Sequence, residues 1–312
     1  MLCFMDEFQL IARYFAPLAG EGALWLRDDA ALLTPAPGCE LVLTKDVLVA
    51  GVHFYPDDPA QAIAQKALRV NLSDLAAKGA EPLGYLMGLM LPGLPHEAWL
   101  RDFCSGLKQD QETYGITLLG GDTARTRGPL ALSITAIGQV PAGAMLKRSG
   151  ARVGDVVMVT GTIGDAALGL KEREGFLRER YLRPQPRLAL GKALRGLATA
   201  CMDVSDGLVQ DAGHIAHASG VQLLLEPAAI PLSEEARTRA HWDAVAHGGD
   251  DYELLFATPP EQVATVQTFA AQAETAVTVI GRVVQGSGVM LSMPDGTMQP
   301  AAAHGWMHFR SA

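Results

Sequence analysis

Apolar segments of strand length alternate with longer amphipathic segments along most of the 312-residue chain. Residues 40–49 form one strand pattern that is rich in β-branched side chains. A helical pattern follows at 59–79, with Ile63, Ala67 and Val70 on one face. A chain that alternates in this way has to pack helices against a sheet, so we predict an α/β or α+β fold.

The same patterns predict the remaining elements. We expect strands at 86–91, 116–123, 130–140, 155–161, 252–257, 277–284 and 288–293. We expect helices at 7–18, 95–114, after Gly164, at 186–197 and at 260–273, and a strand, turn and helix over 202–219. At about 150 residues per domain the chain has room for two domains. Because 141–154 contains glycines, a proline and basic residues, we divide the chain into 1–145 and 146–312.

The charge balance excludes some partners. The chain has 25 Lys and Arg against 34 Asp and Glu, a net charge of −9, whereas nucleic-acid-binding chains normally show a basic balance. The N-terminus lacks the basic segment of a secretory signal, and the most apolar stretch, 83–94, is too short to span a membrane. The four cysteines lie far apart without a CxxC pair. We therefore expect a cytoplasmic protein with no nucleic-acid or membrane partner, no zinc site and no disulfide framework.

Aspartates recur where predicted elements meet loops. They are Asp28, Asp29, Asp46, Asp74, Asp122, Asp203, Asp206, Asp250 and Asp251, and they equal the net charge in number. Carboxylates at strand ends that face one cleft are ligands that Mg²⁺ takes together with phosphates. The set predicts a local magnesium site. The alternatives at single positions are an exposed Asp pair, an Asp74–Lys78 surface pair, and helix capping by Ser205 or Asp206.

Two glycine pairs precede aspartates, in LLGGDT at Asp122 and in HGGDDYEL at Asp250. A backbone without Cβ atoms lets amide groups approach a phosphate closely. The chain has no GxxxxGK[ST] motif, which excludes a P-loop enzyme, and GTIGDAALG (161–169) is better interpreted as a strand–helix turn. Arg148 could bind a phosphate with two hydrogen bonds, and His53 closely follows the Asp46 strand. The alternatives are a solvated linker arginine and an ordinary half-buried histidine.

Seven internal segments occur in the order and spacing of thiamine-monophosphate kinases. They are RDDAAL, TKDVLVAGVHF, KALRVNLSDLAAKGAEPLG, GGDT, LKRSGA, DVSDGL and GGDDYEL. EFQLIARYF and HGWMHF are similar to the two ends of that family, so the resemblance covers nearly the whole chain from about Asp6. The chain therefore resembles a family of the aminoimidazole ribonucleotide synthetase-like superfamily.

The resemblance implies a fold and an activity. Residues 1–145 would be an N-terminal domain that binds ATP and magnesium and whose sheet pairs across a homodimer. Residues 146–312 would be a C-terminal α/β domain that completes the active site. The activity would be ATP-dependent phosphorylation of thiamine monophosphate to thiamine diphosphate, with several Mg²⁺ per site and ATP as co-substrate.

The resemblance also assigns roles to single positions. The magnesium ligands would be Asp29, Thr44, Asp46, Asp74, Asp122, Asp203 and Asp206. The ATP contacts would be Gly121, Asp122, Arg148 and Ser205. The thiamine substrate would contact His53, Asp250 and Trp306. Asp46, Asp122 and Arg148 would be the catalytic residues.

The sequence departs from the family pattern at three positions. Arg27 replaces a common Gly, Lys45 replaces a common Thr or Ser, and Asp250 replaces a common Glu. An ammonium group cannot ligate a metal, so Lys45 leaves two interpretations. Its charge replaces one cation, or strand alternation turns it away from Thr44 and Asp46.

The expected chemistry needs no general base. The attacking group would be a phosphate whose second pKa is about 6, so it is largely ionised at neutral pH. Catalysis would then be positioning and charge neutralisation in a direct in-line transfer without a phosphoenzyme. Two other functions stay open: a related ATP-dependent enzyme acting on an amide or a selenide, and a divalent-cation-binding protein without turnover.

Overall fold

The structure is a computed structural model that describes residues 6–239 and 241–301. The chain divides into two compact units. The first contains the described parts of Met1–Leu75 and Glu81–Ala142, and the second contains those of Ala76–Ala80 and Gly143–Ala312. The division at 145, with the roles attached to it, stays a prediction.

The N-terminal segment at 7–18, expected as one helix, consists of three helical types. They are α1 (Glu7–Leu10), a π-helical turn (Ile11–Phe15) and a 3₁₀ turn (Ala16–Leu18). The Asp6 carboxylate accepts a hydrogen bond from the Gln9 backbone N–H at 2.8 Å, and the Gln9 side chain accepts one from the Asp6 N–H at 3.1 Å. This reciprocal capping box explains why the helix begins here.

The first unit contains a mixed four-stranded sheet. Its strands are β1 (Cys39–Val49), β2 (Glu81–Leu91), β3 (Thr117–Arg125) and β4 (Ala131–Pro141). The order is β1-β4-β2-β3, with β2 and β3 parallel and the other pairs antiparallel. Along β4, buried residues alternate with half-buried ones, so one face of the sheet belongs to the core.

Two long helices, α2 (Ala60–Ala77) and α3 (Glu97–Tyr114), accompany this sheet. The two helices pack so closely that a Cβ at Gly106 would lie 2.4 Å from the Gln61 carbonyl oxygen. Glycine is therefore required at this position. The buried Arg69 guanidinium also donates two hydrogen bonds of 2.8 Å to the Asp110 carboxylate. Two charges buried together in this bidentate geometry fix the register of the two helices.

The second unit contains a mixed seven-stranded sheet in the order β11-β10-β7-β9-β5-β8-β6. Its strands are β5 (Val156–Thr160), β6 (Ala200–Asp203), β7 (Gln222–Leu225), β8 (Leu254–Thr258), β9 (Val277–Val284), β10 (Gly288–Ser292) and β11 (Met298–Pro300). Its helices are α4 (Asp165–Gly169), α5 (Phe176–Leu182), α6 (Leu188–Ala193), α7 (Leu208–Ser219), α8 (Glu234–Arg237), α9 (Trp242–Ala246) and α10 (Val263–Gln272). Among the described strands of this second sheet, only β7 and β10 pair in parallel.

The predicted α/β class is confirmed at the level of two domains, each with a mixed sheet and helices. The last two residues of α2, Ala76 and Ala77, belong to the second unit, where they join a buried cluster with Leu190, Leu194 and Phe256. No helix within 6–239 and 241–301 combines the length and apolar character that a membrane crossing requires.

Candidate active site

A cavity of about 520 Å³ lies beside β3 in the first unit. Its wall brings together Asp28, Asp29, Gly121 and Asp122, all of them exposed. The Asp29 N–H donates to the Asp28 carboxylate at 2.8 Å, which holds the two aspartates in a compact turn. The structure thus places two predicted magnesium ligands, Asp29 and Asp122, and two predicted ATP contacts, Gly121 and Asp122, at one cavity.

Gly121 is required by the packing of β3 against β2. A Cβ at this position would lie 1.9 Å from the Met87 carbonyl oxygen, a separation that no side chain can adopt. A Cβ at Gly120 would make only an ordinary contact of 3.4 Å with Leu86. The second glycine of the pair is therefore required for the close approach of two strands. This requirement is independent of the predicted contact between its backbone and a phosphate.

Thr44 and Asp74 connect β1 to α2. The Thr44 hydroxyl donates a hydrogen bond to the Asp74 carboxylate. Asp74 is half-buried, as expected from its position on the apolar stripe of the helix. Lys78, the alternative partner of Asp74, donates to the Cys201 carbonyl oxygen at 3.2 Å.

Lys45 lies on the opposite face of β1 from Thr44 and Asp46. Side chains alternate along a strand, and the Lys45 ammonium donates to the Ser133 hydroxyl on β4. This orientation favours the interpretation in which strand alternation turns Lys45 away from the predicted ligands.

Asp46 and Asp122 lie on the two outer strands of the first sheet. Asp46 pairs with Ile134 on β4, Ile134 pairs with Met87 on β2, and Met87 pairs with Gly121 on β3. Three strand spacings separate β1 from β3, about 14 Å along the sheet. Ligands of one Mg²⁺ lie within about 4.2 Å of each other, so a single chain does not bring these two aspartates to one ion.

His53 follows β1 and is half-buried. Its Nδ1 accepts a hydrogen bond from the Val49 N–H at 3.0 Å, which fixes the ring and requires an unprotonated nitrogen there. Its carbonyl oxygen accepts from the Lys66 ammonium at 3.0 Å. Arg148 has an exposed side chain in the second unit, and Trp306 lies outside the described residues.

In the second unit, Asp203 ends β6, and Ser205 and Asp206 form the loop before α7. The buried Asp211 carboxylate on α7 accepts hydrogen bonds from the N–H groups of Ser205 at 3.0 Å and Asp206 at 3.1 Å. Burial raises the pKa of Asp211 well above its ordinary value, and the carboxylates of Asp203 and Asp206 raise it further. The sequence offered only a weak signal for Asp211, an aspartate in the first turn of a helix.

The two predicted aspartate turns of this unit meet. The Asp250 N–H donates to the Ser205 carbonyl oxygen at 2.9 Å, and a Cβ at Gly249 would lie 2.4 Å from that oxygen. Asp250 has a φ of +70°, and its carboxylate accepts from the Tyr252 hydroxyl at 3.2 Å. The structure therefore brings a predicted substrate contact next to a predicted ATP contact.

Asp251 and Glu253 lie in the same segment and are buried. The sequence alone did not show that these two carboxylates have a structural role rather than a role as ligands or turn residues. The Asp251 carboxylate accepts hydrogen bonds from the N–H groups of Gly164 at 2.7 Å and Ala166 at 3.3 Å, at the start of α4. These two hydrogen bonds of Asp251 fix the position of the neighbouring Asp250 turn from within the fold.

Glu253 accepts hydrogen bonds from Arg180 at 2.7 Å, from Arg187 at 2.6 and 2.7 Å, and from the Thr160 hydroxyl at 2.6 Å. A Cβ at Gly161 would lie 2.1 Å from this carboxylate. The glycine-rich 161–169 segment is thus the strand–helix turn that was expected, and its first glycine makes room for Glu253.

Comparisons with known proteins cover both units. The family model of the AIR synthase related protein, N-terminal domain, matches residues 27–140, and that of the C-terminal domain matches residues 152–293. A thiamine-monophosphate kinase of Caulobacter vibrioides is 42% identical over 319 aligned residues, which cover 97% of this chain and 90% of that protein.

Two solved structures are similar along most of the chain. The crystal structure of a thiamine-monophosphate kinase from Stenotrophomonas maltophilia K279a has a TM-score of 0.81 and 41% identity, and the match covers 87% of this chain and 90% of that chain. A structure described as AaThiL complexed with AMPPCP and TMP has a TM-score of 0.78 and 33% identity, with 98% and 97% covered.

The protonation of Asp251 predicts a pH-dependent stability. Burial is the main cause that raises the pKa of Asp251 from 3.8 to about 8. Between these values the folded chain keeps a proton that the unfolded chain releases, so the free energy of unfolding falls as the pH rises. In Asp251→Asn this group no longer titrates, and the decrease in unfolding free energy from pH 5 to pH 8 should be smaller than in the wild type.

Urea denaturation at pH 5 and pH 8 measures this difference. Asp102→Asn, which removes an exposed carboxylate on α3, should retain the wild-type decrease. An Asp251→Asn variant with the wild-type decrease would show that Asp251 is ionised throughout this range.

Proposed function

The chain belongs to the thiamine-monophosphate kinase family of AIR synthase related proteins, and we propose that it transfers the γ-phosphoryl group of ATP to thiamine monophosphate, giving thiamine diphosphate and ADP. The observation that carries this proposal is the full-length likeness to a structure described with AMPPCP and TMP, which covers 98% of this chain. AMPPCP is an analogue of ATP. The two ligands of that relative correspond to the two substrates of the proposed reaction.

We assign the magnesium sites to oxygen ligands of both units. In the first unit, Thr44, Asp46 and Asp74 offer hard oxygen donors on the side of β1 that faces α2. One helical turn before Asp74, the buried Asn71 Oδ1 has no hydrogen-bond partner among the described residues. Such a donor set fits Mg²⁺, which would neutralise the charge of the phosphates when bound.

The remaining ligands are Asp29 and Asp122 at the cavity beside β3, and Asp203 and Asp206 after β6. The exposed positions of Asp29 and Asp122 suit a metal that is also bound by substrate phosphates. Several ions per site follow from this distribution, because the strand order separates Asp46 from Asp122.

The chain's own residues bind and orient the two phosphorylated substrates. The Arg148 guanidinium can make two parallel hydrogen bonds to a phosphate of ATP, and Gly121 and Ser205 supply further contacts. The acceptor phosphate, with a second pKa of about 6, is ionised at neutral pH and attacks without a general base. We therefore assign catalysis to Asp46, Asp122 and Arg148, which position and neutralise charge.

The thiamine moiety is assigned to His53, Asp250 and Trp306. The fixed ring of His53 and the carboxylate of Asp250, each held by a hydrogen bond, offer polar partners for an amine-bearing heterocycle. Asp250 shares its turn with the loop of Ser205 through the 2.9 Å backbone hydrogen bond. This shared turn supports a site in which the acceptor binds next to the nucleotide.

A homodimer formed through the first sheet is part of this proposal. The face of the sheet that carries Lys45 also carries exposed Leu41, Leu43 and Val47, and Leu43 is 63% exposed. Such an apolar sheet face with two open edge strands is typical of an interface. Residues 1–145 would then serve ATP, magnesium and dimerisation, and residues 146–312 would complete the site. The cytoplasmic location stays part of the proposal.

Asp122→Asn should abolish most of the activity. The amide keeps the shape of the side chain but removes the charge that a metal requires, so kcat/KM should fall at least about a hundredfold. Formation of thiamine diphosphate from MgATP and thiamine monophosphate measures the effect, and circular dichroism checks the fold. Asp102→Asn on α3 is the matched control and should keep full activity. Equal activity of the two variants would remove Asp122 from the site, and a wild type without turnover would leave only a cation-binding protein.

A direct transfer should leave no phosphorylated enzyme. When the wild type is incubated with γ-labelled ATP in the absence of thiamine monophosphate, the protein should stay unlabelled after denaturation. When ATP chiral at the γ-phosphorus is used, the product should show inverted configuration, because one in-line displacement inverts the phosphorus. Labelled protein together with retained configuration would establish two successive transfers instead.

Leu43→Glu should separate the dimer. The wild type should have the mass of two 33.1 kDa chains, and the variant the mass of one, in light scattering at micromolar concentration. A charge in an apolar interface loses its water without gaining a partner. Leu94→Glu, in the exposed loop between β2 and α3, is the control and should stay dimeric. A monomeric wild type contradicts the proposed pairing.

A further inference from the structure

Asp206, Asp211 and His214 form a compact group in the second unit. One ligand atom of each lies within 4.8 Å of the others, and no second such group of His, Cys, Asp or Glu is found among residues 6–239 and 241–301. Asp206 lies in the loop before α7, and Asp211 and His214 are three residues apart on α7, so they share a helical face. The fold therefore directs three metal-binding side chains of two chemical types to one point.

Asp211 carries an observation that points to a bound cation. The residue is 1% exposed. Its Oδ2 accepts the two backbone hydrogen bonds from Ser205 and Asp206, whereas its Oδ1 has no hydrogen-bond partner among the described residues. A buried oxygen without a donor is unfavourable, and an ion is one of the few groups that can satisfy it.

The local charge leads to the same conclusion. Asp206 and Asp211 bring carboxylate oxygens within 4.8 Å of each other. Two neighbouring carboxylates repel one another unless a positive charge lies between them. A single divalent ion at this point would offset the repulsion and would also satisfy the Asp211 oxygen.

The dimensions suit a first-row metal ion. Metal–oxygen and metal–nitrogen bonds of about 2.1 Å place opposite ligands about 4.2 Å apart and neighbouring ligands about 3 Å apart. A group that spans at most 4.8 Å reaches these distances through side-chain movements of up to about 1 Å. His214 is exposed and can rotate to make this adjustment.

We propose that Asp211 and His214 join Asp206 in binding one divalent ion, through two carboxylate oxygens and one imidazole nitrogen, and that this site accepts a transition-metal ion such as Mn²⁺. Imidazole suits transition metals, and carboxylate oxygens suit both these ions and Mg²⁺. The family resemblance gives Asp206 a magnesium role, but it assigns no role to Asp211 or His214. The ion would link the loop of Ser205 to α7. The inference shares Asp206 with the proposed magnesium ligands, and its test does not depend on turnover.

Mn²⁺ alone is the probe, added to the full chain without nucleotide or thiamine phosphate. Pulsed electron paramagnetic resonance detects an imidazole nitrogen bound to Mn²⁺ through its nuclear coupling. We expect this coupling in the wild type and in His217→Gln, an exposed histidine on the same helix, and its loss in His214→Gln.

Asp211→Asn tests the second ligand. The amide oxygen can still accept the backbone hydrogen bonds, but the charge is lost, so Mn²⁺ affinity at the nitrogen-coupled site should fall at least about tenfold. Thermal unfolding without metal shows whether Asp211→Asn folds. If this variant does not fold, the His214→Gln variant, which changes an exposed side chain, tests the proposal by itself. The proposal is overturned by a wild type without nitrogen coupling or by equal coupling in His214→Gln. None of these results depends on turnover.

Discussion

The loops of the second unit depend on buried carboxylates that accept hydrogen bonds from the backbone. Asp211 holds the N–H groups of Ser205 and Asp206, and Asp251 holds two N–H groups at the start of α4. Burying a carboxylate is unfavourable unless such donors or opposite charges compensate it. Because the loop held by Asp211 carries a predicted ATP contact and a predicted metal ligand, the position of both follows from one buried carboxylate.

Close backbone approaches play the corresponding role in the first unit. Gly121 allows β3 to lie directly against Met87 of β2, and Gly106 allows α3 to lie against α2. The strand order then sets the distance between Asp46 and Asp122, which lie on the two outer strands. The strand order is therefore the reason that several ions, rather than one, are assigned to the proposed catalysis.

Strong periodicity made the long elements predictable. The patterns at 40–49, 59–79, 95–114 and 130–140 correspond to β1, α2, α3 and β4 within a few residues. No sequence pattern predicted α5 or β7. Gln222–Leu225 has four residues, too few to distinguish a strand from a helix, and the seven residues of α5, three consecutive charged ones between two apolar pairs, are too few to define a period. Short elements form here because the surrounding core selects them.

The site shows the same limit. Aspartates at the ends of elements were visible in the sequence, and the meeting of the Asp250 turn with the Ser205 loop is the arrangement that such ends produce in one sheet. The interactions of Glu253 with Arg180 and Arg187 were not visible, because they join residues 66 to 73 positions apart. Gly161 was identified as a turn residue, but its role in leaving room for Glu253 depends on that tertiary contact.

The burial of single aspartates changes how the net charge of −9 is to be understood. Nine motif aspartates matched it in number, which suggested that they form one magnesium site. Asp251 does not fit that set, because it binds backbone N–H groups inside the fold and, with a pKa of about 8, holds its proton at neutral pH. Asp211, which lay outside the set, has a buried oxygen without a hydrogen-bond partner in the described chain. The number was therefore a coincidence, and burial and backbone hydrogen bonds decide which aspartates can take part in metal binding.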